Sequence, residues 1–339
     1  MNMQDTSHIK DIVQILSDVG KRLDFFQGGG GNFSMKTDTS HMIVKASGFA
    51  MHEMTEETGF VRVDYFAIRK QILERIQSGQ DFFEDEYNSI LAKGVFDKEN
   101  VYRPSIETGF HVFLGPAVFH SHSVYTHVFV CAEDGKAIYK KLFEDFSIPV
   151  HWIPYAQPGL SLTQFFARLS RVHDLTKGDH IFFLENHGLV VSANTLEEAL
   201  HVHDIVHQKI KDTYAFDPFP RFSELKCLPH SFVSTDPFLL KHSGFLKDFF
   251  VHVTIPDQVI YGVGGQWSLN EDDNAIFYHT ESKKMAIATQ EMLLGYVYTR
   301  MAQERFGLKT NPLSQENISS LLGMDAERYR QKLLTYKKI

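Results

Sequence analysis

Residues 179–200 read DHIFFLENHGLVVSANTLEEAL, and the reading of this stretch decides the fold. Two short apolar runs flank Asn186-His187-Gly188, the pattern of two strands broken by a turn. Thr195 and Glu198 then form the spacing of a capping box ahead of a helical run, LEEALHVHDIVHQKIKDTY. Strand, turn, strand and helix in close succession predict an α/β chain if the neighbouring segments continue the alternation.

They do. Moving toward the N-terminus, VHWIPYAQPGLSLTQFFARLSRVH (150–173) gives a strand, a Pro-Gly turn and a helix, and EDGKAIYKKLFEDF (133–146) gives a helix. AVFHSHS (117–123) is a strand, and RPSIETGFHVFLG (103–115) is a loop entering a helix, with Pro104 and Ser105 suited to its first turn. TGFVRVDYFAIRKQILERIQ (58–77) passes from strand into helix, HMIVK (41–45) is a strand, and FFQGGGGNFSMKTD (25–38) is a glycine-rich loop leading into an extended segment. The opening residues predict an amphipathic helix with Ile9, Ile12, Val13, Leu16 and Val19 on one face and Ser7 as cap. A boundary falls near FDPFPRFSELKCLP (216–229), where proline and aromatic residues replace periodicity. The chain therefore divides at 1–215 and 216–339. The second part combines a β-rich patch, FFVHVTIPDQVIYGVGG (249–265) and NAIFYHT (274–280), with helices over 282–306 and 325–336, and it can pack on the same core.

Bulk properties exclude several function classes. The chain has 339 residues, 43% hydrophobic and 22% charged, which suits a soluble globular protein with a sizeable core. A formal charge of −8 and no basic, aromatic-interleaved patch argue against a nucleic-acid partner. No apolar run has the length to span a bilayer, and the first residues lack the apolar core of a signal peptide. Two cysteines in unrelated contexts, Cys131 and Cys227, make no disulfide framework, so a cytoplasmic location is expected.

Three turns and one histidine pair carry the chemistry. Gly28 to Gly31 and Asn32 can turn successive N–H groups toward an anion, yet the loop fits neither a P-loop nor a dinucleotide fingerprint. Ser47-Gly48 follows a strand, and Ser105 precedes a helix, where anions are favoured. Together the three turns suggest one phosphate site built from separate loops. On a strand, His120 and His122 face the same way and can converge on one ion, for which neutral imidazole is a good ligand. A third ligand must come from another element, and His187 at its strand break is the best candidate, with Glu107 a fourth ligand or a base. A chain with 18 histidines also yields such a pair by chance. His111, His127, His201, His203 and His207 read as structural or surface residues, and His279 and Glu281 carry no motif.

The segments GGGGNFSMK, IVKASGF, RPSIETGFH, VFHSHS and ENHGLVVSANTLEEAL, taken in this order, resemble the class II aldolase/adducin family over roughly residues 20–210. The resemblance implies a three-layer α/β/α fold with a mixed, largely antiparallel central sheet, plus a C-terminal α+β extension. It implies Zn²⁺ on His120, His122 and His187, Glu107 as catalytic acid/base, and a substrate phosphate held by Gly31, Asn32, Ser47, Gly48 and Ser105. The expected reaction is reversible aldol cleavage of a small phosphorylated ketose, with the cation as Lewis acid for the enediolate, and a homo-oligomer is expected. Asn186 would orient the ligand turn. Family aldolases also use a tyrosine to protonate the leaving aldehyde; Tyr125, Tyr155 and Tyr261 are its candidates. An epimerase or decarboxylase on the same scaffold, and a non-catalytic adducin-like assembly protein, are the alternatives. IPDQVIYG (255–262) resembles the tail of longer family members.

Overall fold

A computed structural model describes residues 3–96, 102–262, 266–272, 274–325 and 328–329. Seven strands form the large sheet: β1 (Asn32–Lys36), β2 (His41–Lys45), β3 (Phe60–Asp64), β4 (Ala117–Ser121), β5 (Val150–Ile153), β6 (His180–Leu184) and β7 (Gly188–Ala193). Their order is β3-β2-β1-β4-β7-β6-β5. β5 pairs with β6 in parallel and every other pairing in this sheet is antiparallel, so the sheet is mixed and largely antiparallel, as expected.

The pleat sends successive side chains to opposite layers. Phe119, Phe183 and Val191 enter one core with the helices Met3–Val19, Val124–Val130, Leu196–Thr213 and Lys283–Arg305. Val118, Phe182 and Val190 enter the other with Tyr65–Ser78, Glu84–Lys93 and Leu160–Leu169. With both faces covered, a strand such as HIFFL is buried at every position, which is why it reads as an unbroken apolar run. The helix Leu196–Thr213 starts at the expected capping box: Thr195 Oγ1 accepts from Glu198 N at 3.1 Å, and the Glu198 carboxylate accepts from Thr195 N at 3.2 Å. Such a cap stabilises a helix by about 1 kcal/mol.

Three expectations change. The opening helix runs Met3–Val19, so Ser7 lies inside it, while Ile9, Ile12 and Leu16 are buried as expected. Pro104 and Ser105 are not helical: Pro104 bridges Ala46, Ser105 N donates to Lys45 O at 3.1 Å, and the following helix is the single turn Thr108–His111. Extended backbone suits the fixed geometry around proline, and it lays Ser105 against the end of β2. Finally, IPDQVIYG is not a strand. Pro256–Gly262 is a helix, with Pro256 at the first position, where no N–H is needed.

The region after residue 215 adds a second sheet, β10-β11-β9-β8, from β8 (Lys226–Leu228), β9 (Ser231–Ser234), β10 (Trp267–Asn270) and β11 (Ala275–Tyr278). Met292, Leu293 and Val297 of its long helix Lys283–Arg305 share the core that holds Phe119 and Val128. The helix expected over 325–336 and the glycines at 264–265 lie largely outside the described residues. No described helix is long and apolar enough to cross a membrane.

Candidate metal and acid–base centre

β4 sits in the sheet between β1 and β7, so its position is fixed on both sides. His120 follows Val118 onto the second core face, and Ser121 points to the opposite face, where its Oγ meets His203 Nε2 at 2.7 Å. His122 stands just past the strand end, with its N–H donating to Phe25 O at 3.0 Å. His187 occupies the β6–β7 turn, which Asn186 makes possible by adopting a φ of 53°. The Asn186 side chain donates to Thr254 O at 2.8 Å and Asn311 O at 2.7 Å, which ties the turn to the C-terminal region.

The hydrogen bonds fix the tautomers. His120 Nδ1 lies 2.9 Å from Leu189 O, and a carbonyl only accepts, so Nδ1 carries the proton and Nε2 is a lone pair. His122 Nδ1 lies 2.5 Å from the Asp257 carboxylate, which only accepts, so Nδ1 carries a proton and Nε2 is the nitrogen left to face the cluster. The two Nε2 atoms face each other at 3.0 Å. A proton or a metal ion between them holds two ring nitrogens at such a separation, and two imidazoles on a tetrahedral zinc would place these atoms about 3.3 Å apart. The ligand atoms of His120, His122 and His187 lie within 4.8 Å of one another, and all three residues are buried. His187 Nδ1 is buried without a hydrogen-bond partner. The donor set fits a divalent cation.

Glu107 closes the cluster. Its Oε1 is 3.1 Å from His187 Nε2, its Oε2 is 3.5 Å from His120 Nε2, and Oε2 accepts from Asn32 Nδ2 at 2.6 Å. Burial opposes its ionisation, but the surrounding imidazoles, His187 foremost, outweigh that and hold the carboxyl well below its usual range. Burial likewise drives His120 well below 6.5 and outweighs the pull of Glu107, which keeps the ring neutral and able to ligate.

Gly31, Asn32, Ser47, Gly48, Ser105, Glu107, His122 and His187 line one cleft, with the fully buried His120 packed against His122 and His187. The expected cradle of backbone N–H groups is largely committed elsewhere. Gly28 N donates to Glu291 at 2.7 Å, Gly29 N to Tyr261 Oη at 2.9 Å, Gly30 N to Gln27 O and Ser47 N to Arg103 O. Two charged lining residues escaped the sequence reading. Lys45 is buried, with Nζ donating to Phe49 O at 2.6 Å, and Asp257 comes from the helix Pro256–Gly262. Lysine at a strand end carried no motif, and Asp257 lies far along the chain.

No tyrosine lines the cleft among the described residues. Tyr125 packs against Phe216 and Tyr298, Tyr155 against the Val253–Leu313 cluster, and Tyr261 braces the glycine loop from outside. His111, His127, His203 and His207 are buried with polar partners: Ser34 Oγ, His187 O, Ser121 Oγ and Ser123 Oγ respectively. His201 is exposed.

Gly188 shows how tightly the centre is packed. A Cβ there would lie 2.4 Å from Ser121 O and 3.2 Å and 3.3 Å from the His120 and His122 rings. Gly188→Ala is expected to destabilise the protein by about 2–3 kcal/mol, because backbone must shift to make room. Denaturant midpoints would check this, and an unchanged midpoint would contradict the close packing.

A family model, the class II aldolase and adducin N-terminal domain, matches residues 10–211. Similar solved structures include the N-terminal class II aldolase domain of a conserved protein from Thermoplasma acidophilum. It is 22% identical, with a TM-score of 0.51, and the match covers 60% of this chain and 92% of that one. An aldolase II superfamily protein from Pseudomonas syringae is 18% identical, with a TM-score of 0.43 and 63% and 76% covered. An L-fuculose-1-phosphate aldolase from Thermus thermophilus is 13% identical, with a TM-score of 0.38 and 61% and 93% covered. No curated protein matches the chain. The first of these structures supports the fold alone.

Proposed function

The chain belongs to the class II aldolase and adducin family, and from that premise we propose that it is a divalent-metal-dependent carbon–carbon lyase acting reversibly on a small phosphorylated ketose. The observation that carries this reading is Glu107 set against three buried histidines at the cleft. Burying a carboxylate costs several kcal/mol unless it is paired, and a family member that serves only assembly has no physical need to retain such a cluster.

In this reading His120, His122 and His187 hold the cation, with zinc favoured by three imidazoles. When bound, the cation supplies Lewis acidity that polarises a substrate carbonyl. Glu107 moves the proton at the carbon beside that carbonyl, and the Asn32 amide holds its carboxylate in place. The Lys45 ammonium and the Ser47 and Ser105 hydroxyls face the same cleft and take the phosphate. Gly31, Asn32 and Gly48 line the same cleft beside them and complete the phosphate site. We place the protein in the cytoplasm, in keeping with two free thiols, Cys131 and Cys227, and as a homo-oligomer, with Phe66 and Phe83 exposed on its surface.

The test starts from protein purified without chelator or tag metal. About one equivalent of metal and cleavage of a ketose phosphate into two carbon fragments would support the reading. Glu107→Gln should then lower turnover about 10²–10⁴-fold. A product of unchanged mass would mean an epimerase, and no metal after reconstitution would sink the lyase.

A further inference from the structure

We propose that Asp257 is a positioning residue that sets the affinity of the metal centre by fixing His122, so that the region beyond residue 215 forms part of that centre. The proposal rests on the metal reading given above. Asp257 lies in the first turn of the helix Pro256–Gly262, and its Oδ2 stands 2.5 Å from His122 Nδ1 across 135 residues of chain. Both side chains are almost wholly buried. A carboxylate acceptor at Nδ1 holds that nitrogen protonated and aims Nε2 at His120, which presents it as the ligand atom.

The surrounding structure over-determines this contact. A Cβ on residue 30 would lie 2.4 Å from Asp257 Oδ2 and 2.5 Å from His122 Nδ1, so Gly30 is the residue that lets the loop run directly across the pair. Gln258 anchors the helix entry, accepting from Thr254 N at 2.9 Å and donating to Phe249 O at 2.7 Å. Thr254 O in turn accepts from Asn186, the neighbour of His187. Tyr261, one turn after Asp257, accepts from Gly29 N. This helix and the Thr254 entry to it therefore brace two of the three proposed ligands and the loop above them.

The experiment measures Zn²⁺ affinity by chelator competition, and the visible absorption of Co²⁺ in the same site, for the full chain and for Asp257→Ala and Asp257→Asn. His187→Ala serves as the control for the metal reading itself. Asp257→Ala is expected to weaken Zn²⁺ binding about 10–100-fold and to change the Co²⁺ spectrum, with Asp257→Asn, which keeps an acceptor of the same shape, falling between it and the wild type. If the wild type binds one equivalent, His187→Ala does not, and both Asp257 variants bind within about threefold of wild type with unchanged spectra, the positioning role is wrong and the metal reading stands. A lowered unfolding midpoint in the metal-free variants with unchanged Zn²⁺ affinity would also overturn it, by making the contact structural only. If the wild type binds no metal, the parent reading fails instead.

Discussion

His187→Ala is expected to leave a folded protein that no longer retains its divalent cation. The turn around residue 187 is held by groups the substitution spares: Asn186 N donates to Val130 O at 2.9 Å, the Asn186 side chain grips Thr254 and Asn311, and His127 Nε2 donates to the residue-187 carbonyl at 2.8 Å. The loss is therefore confined to the imidazole. Its removal takes away one of three ligands, which should weaken metal binding by more than the roughly 100-fold upper range for groups outside the ligand set. It also removes the foremost of the imidazoles that hold the Glu107 carboxyl low, so that carboxyl rises out of its lowered range. Metal content by elemental analysis, beside the unfolding midpoint, decides the matter. A folded variant that still carries a full equivalent would remove His187 from the centre.

Acid is expected to weaken the metal-free protein already at pH 5, above the pH at which carboxylates ordinarily titrate. His111 and His127 are each lowered from 6.5 to about 3, chiefly by burial, and burial also lowers His203 and His207. These rings stay neutral in the fold and accept protons freely only once unfolded. The stability they contribute is whole above pH 6.5 and is lost progressively as pH falls toward 3. At pH 5 His111 and His127 have each cost about 2 kcal/mol, so together they remove about 4 kcal/mol of a total that is typically 5–15. Urea midpoints at pH 7 and pH 5 would read this directly. His111→Gln should shrink the difference between the two pH values by about 2 kcal/mol, and equal midpoints at both pH values in the wild type would refute the argument.

What the sequence made legible was local. The capping box at Thr195 and Glu198 needs only two residues of one turn, and the period-two spacing of His120 and His122 needs only a strand. Asn186-His187-Gly188 announces a left-handed turn by residue type alone. The α/β class follows from the same local alternation, whereas the mixed, largely antiparallel sheet was implied by the family resemblance. The illegible part is what arrives from a distance. Asp257 sits in VHVTIPDQVIYG, whose β-branched residues suggest a strand, and only tertiary packing makes it a helix. The glycine loop looked like an anion cradle because glycines expose N–H groups, but Tyr261 and Glu291, 232 and 263 residues away, claim two of them. The tyrosine candidates were placed by nearness to turns, which says nothing about which wall of the fold they join. Lys45 faces the cleft because β2 ends there, a fact of register that no motif announces.

The long reach of these contacts bears on how the protein is made. Every strand of the large sheet, all three clustered histidines and Glu107 lie before residue 215, whereas the groups that brace His122 and the glycine loop lie at 257, 261 and 291. Domains fold as they emerge, N-terminal parts first, and the long loops these contacts close carry an entropic cost that rises only slowly with length. A nascent chain leaving the ribosome can thus lay down the floor of the cleft before its far wall has been synthesised. Translation order places closure of the site after synthesis of the sheet that carries it.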